Sequence, residues 1–103
     1  MYNIQVYHSP VPPAGGSTVD LMYYVYVIYN LKNSKMYIGQ TKDLDNRVIL
    51  HNNKTFKGYT SRFDGTWDLI YKEQVESRSK ALIREKQLKS FKGREFIKTF
   101  IPR

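Results

Sequence analysis

Met22-Tyr23-Tyr24-Val25-Tyr26-Val27-Ile28-Tyr29-Asn30 is dominated by aromatic and β-branched residues and reads as a β-strand. Leu31-Lys32-Asn33-Ser34-Lys35 supplies a polar turn, and Met36-Tyr37-Ile38-Gly39 resumes the strand character, so the stretch reads as a β-hairpin. Turn length decides what this hairpin presents. A turn of two or four residues keeps the side-chain alternation in step and puts Tyr37 on the face of Tyr24, Tyr26 and Ile28. An odd loop would separate them.

Downstream, Thr41-Lys42-Asp43-Leu44-Asp45-Asn46-Arg47-Val48-Ile49-Leu50-His51-Asn52 opens with a capping residue and early acids and then repeats apolar residues at helical spacing. Leu44, Arg47, Val48 and His51 share one stripe, so an arginine and a histidine are expected to face the sheet or its edge. Lys54-Thr55-Phe56-Lys57-Gly58-Tyr59-Thr60-Ser61-Arg62-Phe63 mixes basic and aromatic residues around a glycine and suits a loop lying along a phosphate backbone. Trp67, Leu69 and Tyr71 alternate with polar residues and read as a third strand running to Gln74.

Ser77 then caps a run of strong helix formers, Arg78 to Lys89, whose expected apolar stripe is Ala81, Leu82, Leu88 and Phe91. Glu85 lies inside that stripe. A carboxylate aimed at a core must be paired, protonated or bound to a metal, since stranding it there costs several kcal/mol. From Arg78 to Arg94 there are seven Lys or Arg residues, and Glu85 is the single acid. Gly93 is expected to end this element, and Arg94 to Ile101 to form a short final helix before Pro102.

The remainder bounds the function. A chain of 103 residues has room for one small core. Its 17 Lys+Arg against 9 Asp+Glu give a net charge of +8 and favour a polyanionic partner, nucleic acid first and an anionic membrane surface second. No apolar run approaches the ~20 residues that span a bilayer, and no leader pattern opens the chain, so a cytoplasmic protein with no membrane role is expected. The absence of cysteine fits a reducing compartment and excludes thiolate zinc sites. Residues 1–21, with Pro12-Pro13-Ala14-Gly15-Gly16, read as a flexible N-terminal tail, and residues 22–101 as the functional domain.

Val25-Tyr26, Tyr37-Ile38-Gly39, Arg47 and His51 on one helix and Glu85 on a later one, taken in order, resemble the GIY-YIG nuclease family. The likeness is greatest to its small single-domain branch, through Asp43-Leu44, His51-Asn52, Tyr59-Thr60, Trp67, Arg78-Ser79 and Arg84-Glu85. The resemblance implies an α+β fold, a three-stranded antiparallel sheet flanked by helices, to which the composition of residues 1–21 adds a disordered or extended N-terminal tail. It implies a metal-dependent endonuclease hydrolysing DNA phosphodiesters with a single Mg²⁺ or Mn²⁺, directed by DNA structure as in repair or recombination. By position, Glu85 would be the metal ligand and Arg47 would hold the scissile phosphate. Tyr26 and Tyr37, helped by His51, would orient or deprotonate the attacking water. Nucleic-acid contacts are expected at Lys42, Lys54, Lys57, Tyr59, Thr60, Arg62, Arg84 and Lys89. Branched, damaged or single-stranded DNA is the favoured partner, with a homodimer or a protein partner supplying specificity.

The chain departs from the family pattern at Tyr24 and Val25, which replace the first motif's glycine and isoleucine. It also has no asparagine after Asn53, whereas many members carry one after the glutamate; either the reaction tolerates that loss or another polar group such as Gln87 stands in. Taken singly, each residue has a structural reading: strand aromatics for the tyrosines, an ion pair for Arg47 with Glu85, a C-terminal helix cation for His51. The alternative for the whole is a catalytically inactive DNA- or RNA-binding module of the same fold.

Overall fold

The structure is a computed structural model that describes residues 5–7, 22–55 and 58–102. Its strands are β1 (Gln5–Tyr7), β2 (Tyr23–Asn30), β3 (Lys35–Thr41) and β4 (Trp67–Val75), and its helices α1 (Leu44–Asn52), α2 (Arg78–Lys89) and α3 (Phe91–Lys98). A 3₁₀ turn, Thr60–Arg62, precedes β4.

The expected three-stranded antiparallel sheet is present, with β2 in the middle between β3 and β4. Beyond it, β1 pairs in parallel with the outer edge of β4, where unpaired backbone groups accept an added strand. The rest of the expected tail lies outside the described residues.

The hairpin turn is four residues long, Leu31 to Ser34, with Ser34 at φ 54°. Register therefore stays in step, pairing Tyr26 with Gly39 and Ile28 with Tyr37. One face carries Tyr24, Tyr26, Ile28 and Tyr37, packed with Leu44 and Val48 of α1 and with Trp67. The other carries Val25, Val27, Tyr29 and Ile38, closed by Ala81 and Leu88 of α2 and Ile97 of α3.

The alternation expected along β4 breaks midway. Ile28 pairs with Leu69 and Val27 with Tyr71, so Ile70 is an extra residue in a bulge. Trp67 and Leu69 consequently face α1, whereas Tyr71 joins the α2–α3 side. Period two cannot reveal an inserted residue, which is why Tyr71 was expected beside Trp67.

The helical stripe on α2 is narrower than its sequence implied. Ala81 and Leu88 are buried, but Leu82 is exposed and Phe91 is 79% exposed. The cause lies in how the chain turns. Ser90 ends α2 and caps α3 by accepting from the Gly93 amide, so α3 starts at Phe91 and doubles back at once. Gly93 sits inside α3 instead of terminating α2. A Cβ there would lie 2.5 Å from Leu88 Cα and strike the Gln87 carbonyl, so only glycine lets the two helices meet this closely.

Candidate active site

Gly39 determines how the site is built. A Cβ at this position would meet the Tyr26 hydroxyl at 2.7 Å and Tyr37 Cε1 at 2.9 Å. Lacking one, β3 leaves a slot through which the Tyr26 ring crosses its neighbouring strand. The Tyr26 and Tyr37 rings lie 6.2 Å apart, centroid to centroid.

His51 enters from the last turn of α1, 3% exposed, with its ring 4.9 Å from that of Tyr37. Its Nε2 is 2.9 Å from the Tyr26 hydroxyl, and its Nδ1 is 2.9 Å from Thr60 Oγ1. Burial, and then the Arg47 guanidinium, lower its pKa to about 4. The ring is therefore neutral near pH 7, and the reading of His51 as a helix-end cation fails.

Tyr26 is fully buried. Desolvation first, then the adjacent Tyr37 phenol, raises its pKa above the ordinary tyrosine range; Arg47 opposes this and Glu85 adds to it. Arg47 thus acts on both Tyr26 and His51, and the Glu85 charge reaches the same phenol from α2. Four elements of the fold bring the five expected catalytic residues into one electrostatic neighbourhood.

Glu85 occupies the border of the buried stripe, its side chain 19% exposed, and Lys89 donates to its Oε2 at 2.6 Å. Of the three fates open to a carboxylate in an apolar stripe, pairing is the one observed. Among the described residues no group of three or more His, Cys, Asp or Glu could enclose a metal. A single carboxylate nevertheless fits Mg²⁺, which keeps several waters and takes one or two carboxylates plus substrate phosphate oxygens. That Glu85 already holds an ammonium shows a cation-accepting oxygen at this place.

Beside the tyrosines runs a groove of about 560 Å³ lined by Lys35, Tyr37, Tyr59, Lys89 and Arg94 among others. Lys35 and Arg94 were absent from the expected contacts; the run of cations around Arg94 was the available signal. Tyr59 is exposed and lies over Tyr37 at 6.4 Å, while Lys42 and Arg62 are exposed elsewhere.

Three expected contacts are otherwise engaged. Thr60 is 2% exposed and is held behind the site by His51, so it does not reach a ligand in the groove. The Arg84 Nε donates to Glu73 at 2.9 Å, and Glu73 also accepts from the Tyr71 hydroxyl, so Arg84 anchors α2 to β4. The Lys54 ammonium donates to the Phe63 and Gly65 carbonyls and fastens the loop. Lys57 lies outside the described residues. Gln87, the candidate stand-in for asparagine, is exposed and its amide oxygen accepts from Arg84.

The loop carrying Thr60 is fixed from two sides. Trp67 Nε1 donates to the Thr60 carbonyl, and the Asn52 side chain bonds both the amide and the carbonyl of Trp67. Asn30, fully buried, donates to the Asp64 carbonyl and accepts from Asn33, with Lys32 paired to Asp64.

This hairpin, with its paired tyrosines and the arginine, histidine and glutamate that act on Tyr26, defines a class: the chain belongs to the GIY-YIG catalytic domain family, a nuclease family, which matches residues 22–97. Within that class it is similar to a UPF0213 protein of Staphylococcus saprophyticus, 33% identical over 76 residues, covering 74% of this chain and 90% of that one. A UPF0213 protein of Staphylococcus epidermidis is 32% identical over the same length and coverage. The solution NMR structure of a UPF0213 protein from Bacillus halodurans covers 77% of this chain and 84% of its own at 27% identity, with a TM-score of 0.47. No helix among the described residues is long and apolar enough to cross a membrane.

Proposed function

We propose that the protein is a divalent-metal-dependent endonuclease that hydrolyses DNA phosphodiester bonds at the Tyr26–Tyr37–Arg47–His51–Glu85 cluster, directed by DNA structure more than by sequence. The observation that carries this reading is the convergence of those residues, from four elements, beside a groove whose lining includes Lys35, Lys89 and Arg94.

Glu85 would hold the ion, giving up its bond to Lys89, whose ammonium is then free for a phosphate in the groove. A divalent ion held there would supply positive charge to offset the negative charge of the reacting phosphate. Arg47 neutralises the negative charge that grows on the phosphate in the transition state. Tyr37, on the groove wall, orients the attacking water. As the water oxygen bonds to phosphorus and the P–O bond to the leaving sugar oxygen breaks, the water's proton moves into the tyrosine pair, and the leaving oxygen takes a proton from solvent. Tyr26 passes its own to His51 Nε2, 2.9 Å away. A phenol whose pKa burial has raised keeps its proton near pH 7 and is no base by itself; the imidazole behind it is unprotonated at that pH and so available, though as a weak acceptor.

The test combines metal removal with one substitution. Labelled branched, single-stranded and duplex DNAs should be cut in Mg²⁺ or Mn²⁺, remain intact in EDTA, and be cut again when metal is restored. Arg47→Ala should lower cutting by about a hundred-fold or more while leaving most binding intact. If binding fell as far as cutting, Arg47 would be a general phosphate anchor. Cutting that persisted in EDTA would remove the metal from the mechanism.

A further inference from the structure

Thr60 has no part in the chemistry above, yet it is among the most buried polar side chains of the described residues and its hydroxyl lies against the proposed proton acceptor. We infer that Thr60 is a positioning residue: its Oγ1 fixes His51 in the tautomer that carries the proton on Nδ1 and directs the bare Nε2 lone pair at Tyr26. The inference rests on the nuclease reading for what that lone pair is used to do, but not for the tautomer itself.

Among the described residues, each ring nitrogen has a partner at the same distance, Tyr26 Oη at 2.9 Å from Nε2 and Thr60 Oγ1 at 2.9 Å from Nδ1. A neutral imidazole has one N–H to divide between them, and the bond at one nitrogen sets the state of the other. A phenol is a far stronger acid than an aliphatic alcohol, hence the better donor to a ring lone pair. The arrangement that uses both partners best has Tyr26 O–H donating to Nε2 and Nδ1–H donating to Thr60 Oγ1.

Thr60 is well placed to enforce this. Its carbonyl accepts from the indole of Trp67, a residue whose main-chain amide and carbonyl are clamped by the side chain of Asn52 of α1, next to His51. The threonine and the histidine are thus locked to one another through the same tryptophan. Among the described residues, the ionisable groups that face the ring are Tyr26, Tyr37 and Arg47. None of them competes with Thr60 for Nδ1.

During hydrolysis Nε2 takes the Tyr26 proton only in passing, because burial beside Arg47 disfavours an imidazolium with both nitrogens protonated. The Nδ1–H bond to Thr60 persists throughout, so the ring does not turn. The proton returns to solvent through Tyr26 after the product phosphate departs. In the other tautomer Nε2 would already carry hydrogen, and the transfer would be blocked.

The experiment uses the full chain, ¹⁵N-labelled at histidine, with the His51 signals assigned by comparison with His51→Gln. Nitrogen shifts distinguish a protonated ring nitrogen from a bare one directly and need no substrate. In the parent chain Nδ1 should be the protonated nitrogen and Nε2 the bare one. Thr60→Val keeps the shape and the backbone bond to Trp67 but removes the hydroxyl; it should give a mixture of tautomers and lower kcat on labelled DNA about ten- to a hundred-fold with KM unchanged. Thr60→Ser should restore both the single tautomer and the rate. A parent ring protonated on Nε2, or a Thr60→Val ring with the parental tautomer, would overturn the inference even if the variant were slower or less stable. An inactive parent chain whose tautomer still depends on Thr60 would count against the nuclease reading and support the positioning role.

Discussion

At the scale of single residues, the site is a problem in placing protons. His51 is held neutral in a buried pocket, with a pKa of about 4 against an ordinary value of 6.5. Between those values the unfolded chain takes up a proton that the folded chain refuses, so stability falls as pH drops from 6.5 to 4 and the loss is complete below 4. This contribution amounts to about 3 kcal/mol. Urea denaturation at a series of pH values should therefore show the parent losing about that much more stability than His51→Gln between pH 7 and 4. Equal pH slopes would mean that the imidazole is charged or solvated in the native state. The same burial explains why His51 was only half legible in sequence. Helical spacing placed it on the inward face, but a stripe position does not say which groups wait there. Thr60 shows the opposite failure: a hydroxyl in a basic, aromatic loop resembles a ligand contact, and only the Trp67–Asn52 clamp turns it inward.

At the scale of elements, the hairpin was readable because β-branched and aromatic density marks strands and the even turn preserves facing. The cap at Ser77 was readable for the same local reason. Three features were not, since each depends on contacts distant in sequence. The Ile70 bulge is invisible to a period of two, Leu82 and Phe91 are apolar yet left outside by the turn at Ser90, and β1 joins the sheet only because β4 offers a free edge. The α2–α3 corner yields a sharp expectation. Gly93→Ala would drive a methyl into the backbone of the last turn of α2, which cannot swing aside as a side chain would. It should cost about 2 to 3 kcal/mol in urea denaturation. Gly58→Ala, where a Cβ meets nothing within 4 Å, should stay within about 0.5 kcal/mol. Equal effects at both positions would show that the helices are not packed as closely as described.

At the scale of the whole molecule, three layers converge on one edge of a small sheet. The α1 layer brings Arg47 and His51, the sheet brings Tyr26 and Tyr37 across Gly39, and the α2–α3 layer brings Glu85 with a groove lined partly by cations. The net charge of +8 suggested a polyanionic partner, and the fold sets three of those cations along the groove beside the tyrosines. Charge count alone had no means of locating it, which is why Lys35 and Arg94 went unnoticed while Arg84, spent on Glu73, was expected to take part. Glu85 is the residue on which the account stands, and its role separates a working nuclease from a silent binding module of the same fold. Glu76 offers a matched control, an exposed carboxylate just before α2 paired to Lys80 much as Glu85 is paired to Lys89. The most direct measurement is nicking of labelled DNA in Mg²⁺ by the parent chain, Glu85→Ala and Glu76→Ala. The account predicts cutting by the parent and by Glu76→Ala at similar rates, and a loss of about a hundred-fold or more in Glu85→Ala with DNA binding retained. Cutting that survives Glu85→Ala, or an equal loss in both variants, would contradict it.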